Sequence, residues 1–90
     1  IAISSSGKSV NILNAIAAAR SIGCQVLTFS GFDARNPLSL LGDLNFYVDS
    51  NEYGFVEVAH MSLGHAMLDY IIEEQYHRIP NKDTILAAVE

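Results

Sequence analysis

The 90-residue sequence predicts an α/β fold of three layers, with helices on both faces of a mostly parallel sheet. Three observations predict it. Ile1-Ala2-Ile3, a helical pattern from Ser9 to Ile22 and a second apolar segment from Gln25 to Ser30 follow one another with short joints. That strand, helix, strand order is a βαβ unit, which implies parallel pairing and a right-handed crossover. A third short strand and a long helical pattern then fill the C-terminal half.

Ile1 to Ile3 reads as the end of a buried strand. In the first helix Val10, Leu13, Ile16 or Ala17, and Arg20 fall at three- and four-residue steps, and Ile12 and Ala19 widen the apolar face. The alanines at 15, 17, 18 and 19 favour helix and allow close packing on a sheet. Gly23 is the expected stop. Val26, Leu27, Thr28 and Phe29 give the second strand its β-branched and aromatic character. Ser30 to Asp43 reads as a loop holding a short helix at Pro37 to Leu41, opened by Asn36-Pro37. Asn45 to Val48 is a third strand and Ser50 to Gly54 a turn. From about Phe55 to Tyr76 the pattern Val56, Ala59, Leu63, Ala66 or Met67, Tyr70, Ile71 predicts the longest helix. Arg78-Ile79-Pro80 ends it, and Asn81 or Asp83 caps a last short helix through Val89. No repeat, low-complexity segment or linker divides the chain.

The totals narrow the class. Half of the residues are apolar, too many for a disordered tail. A chain of this length makes one small domain, with a limited core. It starts without Met and with a strand-like segment, which predicts a piece of a larger domain. A net charge of −5 argues against a nucleic-acid partner but not against a small phosphorylated ligand, since local donors outweigh the global field. Cys24 is the single cysteine. It admits no internal disulfide and no Cys-based zinc motif, and reads as a buried reduced thiol in a cytoplasmic protein. No apolar run approaches the ~18 residues of a membrane span, and no secretory leader is visible.

The joint between the first strand and the first helix carries the clearest chemistry: Ser4-Ser5-Ser6-Gly7-Lys8-Ser9. The first-turn N–H groups of a helix have no internal partner and carry partial positive charge. Gly7 lets the backbone approach a ligand closely, and serine hydroxyls donate to phosphate oxygens. The stretch therefore reads as a phosphate cradle formed by Ser4, Ser5, Ser6, Gly7 and Ser9. A Ser-rich helix cap without a ligand is the plainer reading. Gly7-Lys8-Ser9 also matches the end of a nucleotide-binding P-loop, but that motif needs glycine where Ala2 stands, so no nucleotide site follows.

The long helix carries Glu57, His60 and His65. Glu57 and His65 lie about 80° apart around the axis and about 12 Å along it; His60 and His65 lie about 140° apart, which predicts different surroundings for the two histidines. Only one of them is expected to share a site with Glu57. Glu57-x-x-His60 is half of a di-iron signature that needs two copies, and the H-E-x-x-H zinc motif is absent. A lone histidine on a helix is more often a hydrogen-bonded core or interface residue than a ligand. His77 reads as a partner for the helix's terminal carbonyls, and Glu73 and Glu74 as solvated.

Ala2 through Ser9, followed by Asn11 and the run Ala15 to Arg20, resembles the sugar isomerase (SIS) domain. Within that family the resemblance is to the phosphoheptose isomerases, whose cradle reads Ser-Thr-Ser-Gly-Asn-Ser. The run Glu57-Val58-Ala59-His60-Met61-Ser62-Leu63-Gly64-His65 is similar to their C-terminal helix. The resemblance spans roughly residues 1–72 and covers the C-terminal part of a single SIS domain, a flavodoxin-like or Rossmann-like αβα layout. It implies interconversion of aldose and ketose phosphates, sedoheptulose 7-phosphate and a heptose 7-phosphate, through an enediol. It also implies phosphate contacts from Ser4, Ser5, Ser6 and Ser9, His65 as a catalytic acid or base, and Glu57 at a position that holds substrate or a metal. Zinc is the candidate metal, with Glu57 and His65 as ligands, although their separation along a straight helix makes joint ligation a stretch. Two positions depart from the family: Lys8 stands for asparagine and adds a charge near the phosphate, and Glu57 stands for glutamine and changes the charge of any metal site. The family's remaining catalytic groups come from an N-terminal region outside this sequence, so the fragment alone is expected to be inactive. Family sites sit at subunit interfaces, which implies a homodimer or homotetramer, with Met61, Met67 and Tyr70 as a candidate contact surface. SIS domains also serve as non-catalytic phosphosugar sensors; such a chain would keep Ser4 to Ser9 and could dispense with His65.

Overall fold

The computed structural model describes residues 1–77. Strands β1 (Ala2–Ile3), β2 (Leu27–Gly31) and β3 (Leu44–Val48) form a parallel sheet in the order β1-β2-β3. Ile3 pairs with Phe29, and Phe29 with Phe46. Helix α1 (Val10–Ser21) joins β1 to β2, a short 3-10 helix (Pro37–Leu40) lies between β2 and β3, and α2 (Tyr53–His77) follows β3.

Side chains alternate across a strand, and the alternation separates the layers. Ile16 of α1, Val26 and Leu38 form the core on one face, joined by Ala2, Ile12, Leu13 and Ala19. Phe29 points to the other face, where its ring meets Phe46 edge-on at 5.4 Å and His60 of α2 at 5.6 Å. The αβα layering and parallel pairing expected from the sequence are both present.

Local chemistry sets the element ends. Gly23 at φ 84° stops α1: its N–H donates to Arg20 and the next N–H, of Cys24, to Ala19, the paired closure that left-handed glycine allows. Asn36 caps the 3-10 helix by accepting from the Ser39 N–H at 2.9 Å, with Pro37 in the first helical position. Helix α2 starts two residues before Phe55, with the Val56 N–H donating to the Glu52 carbonyl.

Four expectations are corrected. Strand β1 is an edge, not a buried strand: Ile1 is 81% and Ile3 50% exposed, because α2 stands across an open cleft from them instead of packing on them. Val10 at the first turn of α1 lies off the sheet and is exposed. Cys24 is exposed rather than buried, since it falls in the turn after α1 and before β2. In α2 only Val56 and His60 are buried among the described residues, and Tyr70 and Ile71 are exposed, because that part of the helix has no sheet beneath it. Glu73 and Glu74 are exposed, as expected. The side chain of His77, the helix end at Arg78 to Pro80 and the last helix through Val89 lie outside the described residues.

Candidate functional site

The serine loop leaves the C-terminal end of β1, and the Ser30-Gly31 end of β2 lies beside it. Ligands of open parallel sheets bind at this edge, outside the carboxyl ends of the strands. The Ser4 N–H extends the ladder to the Phe29 carbonyl at 3.0 Å. The chain then turns: the Gly7 N–H donates to the Ser4 carbonyl and to Ser4 Oγ, both at 3.1 Å, with Gly7 at φ 68°. Ser4 Oγ and Ser9 Oγ share a hydrogen bond of 3.0 Å, and Ser6 Oγ accepts from the Lys8 N–H at 3.2 Å.

Ser9 occupies the N-cap position of α1, but its side chain makes no capping hydrogen bond. Its hydroxyl goes to Ser4 instead, so Ser9 does not cap α1 through its side chain. The loop's own hydrogen bonds hold a compact turn at the mouth of α1, with Ser4 and Gly7 buried and Ser5, Ser6 and Ser9 half-buried.

Lys8 is exposed and its charge reaches Asp33. The Arg35 N–H donates to Asp33 Oδ1 at 2.9 Å. That hydrogen bond, ahead of the charges of Arg35 and Lys8, holds the Asp33 carboxyl below its ordinary range. Asp33 is therefore an anion beside the loop, which offsets part of the field Lys8 would present to a phosphate.

A cleft of about 730 Å³ opens between the β1 end and α2. Ser5, Glu57, His60 and His65 line it together with apolar side chains that include Phe29 and Met61. The about 80° separation of Glu57 and His65 puts them on one side of α2, and both are exposed to the cleft. The expectation that His60 and His65 have different surroundings holds for burial, with His60 4% exposed and His65 exposed. It fails for the site: both line the same cleft, because the cleft wraps more of the helix circumference than one face. Both histidines thus share the cleft with Glu57.

What seats α2 here is a close approach. Val56 is fully buried, and a Cβ added at Gly31 would lie 2.7 Å from Val56 Cγ1. Gly31 is the residue that lets the helix reach the strand end. His60 adds a polar anchor, with Nε2 at 2.8 Å from the Ser30 carbonyl. Sequence reasoning missed Asn36, which is fully buried and donates to Ser30 Oγ at 3.1 Å. It was visible only as a helix starter, and no periodicity marks a buried loop amide.

Among the described residues no three His, Cys, Asp or Glu side chains stand close enough to hold a metal ion. Glu57, His60 and His65 all line the cleft, but they do not gather into a group that could hold a metal ion, so they do not by themselves make a zinc centre. The duplicate set a di-iron site needs is likewise missing among the described residues. No helix among those residues is long and apolar enough to cross a membrane.

No protein-family model matches the chain, and no solved structure does. Curated relatives do match. The chain is 34% identical over 77 residues to the phosphoheptose isomerase of Aliarcobacter butzleri, which covers 86% of this chain and 40% of that protein. It is 35% identical over 71 residues to the phosphoheptose isomerase of Paramagnetospirillum magneticum, 79% of this chain and 36% of that one. With the enzyme of Helicobacter hepaticus it shares 36% over 72 residues, 80% and 36% of the two chains. The chain is thus similar to the phosphoheptose isomerases, and it spans about two fifths of the length of the curated relatives it matches.

Proposed function

We propose that this chain supplies the phosphate cradle and one wall of the active site of a phosphosugar isomerase, acting on a heptose 7-phosphate and sedoheptulose 7-phosphate. One observation carries the reading: Ser5 of the serine loop, Glu57 and His65 line a single cleft between the β1 edge of the sheet and α2. The similarity to phosphoheptose isomerases supports it independently.

In this reading Ser4, Ser5, Ser6, Gly7 and Ser9 hold the phosphate, remote from the reacting carbons. That binding energy orients the sugar without touching the chemistry. Aldose–ketose isomerisation moves a proton between adjacent carbons through an enediol, which needs an acid and a base that titrate near neutrality. His65, which lines the cleft with Glu57, serves as one of them. Glu57 binds a substrate hydroxyl or shares the proton transfer. The second acid or base comes from a part of the protein outside this chain, and the chain alone is inactive. A zinc ion would take donors from outside this chain in addition to Glu57 and His65, and no step above passes through it. The working protein is a cytoplasmic homodimer or homotetramer, consistent with the exposed apolar side chains of α2.

The test uses the full-length protein. His65→Ala is expected to lower kcat by about 10²-fold or more with inorganic phosphate affinity retained, and Ser5→Ala to raise KM. Wild-type protein that binds phosphosugars at the loop without turning them over would instead make it a sensor, and absence of binding would end both readings.

A further inference from the structure

We propose that His60 is the positioning residue of the cleft: through the Ser30 carbonyl, and Asn36 behind it, it fixes the α2 turns that carry Glu57 and His65 relative to the serine loop. The kinetic part of its test rests on the isomerase reading; the spectroscopic part does not.

A carbonyl oxygen only accepts, so the 2.8 Å contact places the hydrogen on His60 Nε2. The other ring nitrogen, Nδ1, is buried and has no hydrogen-bond partner. A buried acceptor left unpaired is unfavourable, and an apolar side chain of similar size would pack on Phe29 without that penalty. What histidine adds is the anchor to Ser30. That anchor is placed where it matters: Val56 and His60 are the buried residues of α2 among those described, and His65 lies beyond the second of them. The direction of the helix at His65 is therefore set by where His60 is tied.

The tie continues through the sheet. Ser30 Oγ accepts from Asn36 Nδ2 at 3.1 Å, and the same amide donates to the Gly31 and Asp33 carbonyls. The Asn36 side chain fills the space at Gly7, where an added Cβ would fall 1.9 Å from Asn36 Oδ1. The Leu38 N–H then donates to the Gly7 carbonyl at 3.1 Å. Gly7, Asn36, Ser30 and His60 thus form one continuous buried path from the serine loop to α2. A buried path joined by hydrogen bonds and close packing holds catalytic side chains in register, and a misplacement of about 1 Å costs on the order of 10²-fold in rate.

The full-length protein is tested in two ways. In kinetics, His60→Leu is expected to lower kcat about tenfold or more while KM and the Kd of inorganic phosphate stay within about twofold. His60→Gln, whose amide N–H can still donate to Ser30, is expected to recover most of the rate. Equal losses in both variants that track the folded fraction, or wild-type kcat in His60→Leu, overturn the proposal. In the 15N spectrum of the imidazole, the wild type is expected to show a slowly exchanging proton on His60 Nε2, and Ser30→Ala, which removes the hydroxyl facing Asn36, is expected to move that signal. A proton on Nδ1 instead, or a signal indifferent to Ser30→Ala, overturns the proposal even if His60→Leu fails to fold. If the wild type turns over no phosphosugar, the isomerase reading fails alone, and the spectrum still decides the role of His60.

Discussion

Gly7 combines a φ of 68° with a neighbour that leaves no room for a methyl group. The first condition strains any L side chain, and the second drives it into the buried Asn36. Gly7→Ala is expected to cost more than about 1 kcal/mol of stability and to weaken phosphate binding, read by denaturant unfolding and phosphate titration; Gly23→Ala meets open space and carries the φ penalty alone. Phe32 is the non-glycine residue with positive φ among those described, at 62°. It is clamped by the Tyr47 hydroxyl, which donates to its carbonyl at 2.6 Å, by its own N–H to Ser50, and by an edge-on contact with Tyr53. Removal from water, followed by the nearby Asp49 carboxylate, pushes the Tyr47 phenol above its ordinary value. The folded state therefore favours the protonated phenol. Its contribution is complete below the unfolded value near 10 and is lost as pH rises through the raised folded value. The stability gap between wild type and Tyr47→Phe is expected to shrink above that pH in unfolding scans; a gap that stays constant would mean the phenol proton has no part in the clamp.

At the scale of elements, α2 decides where the chemistry stands. It is long, yet its grip on the sheet is concentrated near its start, at Val56 over Gly31 and at His60 on Ser30. Val56→Ala removes fully buried methyl groups and is expected to cost about 1–3 kcal/mol. Met61→Ala, at 66% exposure, should cost under about 0.5 kcal/mol. Thermal unfolding of the pair compares them directly; equal losses would mean α2 is held from its exposed side. Helix α1 is fastened differently. Arg20 donates to the Leu41 carbonyl and lies 3.7 Å from Asp43. Asp43 in turn accepts from the Val26 N–H at 2.7 Å, so the end of α1 and the starts of β2 and β3 share one exposed polar cluster.

Across the whole molecule, the sheet is covered unevenly. The α1 face has a closed core, whereas on the other side Ile1, Ile3, Leu68 and Ile71 remain half exposed or more. Apolar area of this kind drives association, and Lys, Arg, Asp and Glu are sparse on α2 between Val58 and Leu68. The 90-residue chain by itself is expected to self-associate at micromolar concentration, and Leu68→Ser with Ile71→Ser to reduce it, as read by sedimentation; a monomer at all concentrations would contradict this. The net charge of −5 acts against association, so added salt should strengthen it.

Much of the architecture was legible because it is encoded locally. Hydrophobic periodicity gave α1 and α2, Gly23 marked the stop of α1 and Asn36-Pro37 the start of the 3-10 helix, and short joints gave parallel pairing. The serine loop was legible as a strand-to-helix joint, and the 80° spacing placed Glu57 and His65 on one side of α2. Burial was not. Cys24, Val10 and the β1 isoleucines look like core residues by composition, but whether a residue is covered depends on what else packs there, and sequence spacing does not carry that. The shared cleft of His60 and His65 and the buried path from Gly7 through Asn36 and Ser30 were also invisible. They depend on contacts and hydrogen bonds whose geometry exists only once β2, the following loop and α2 have met. The sequence by itself determined the elements and their order; the tertiary structure decided which side chains face one another, because that depends on distances no local pattern sets.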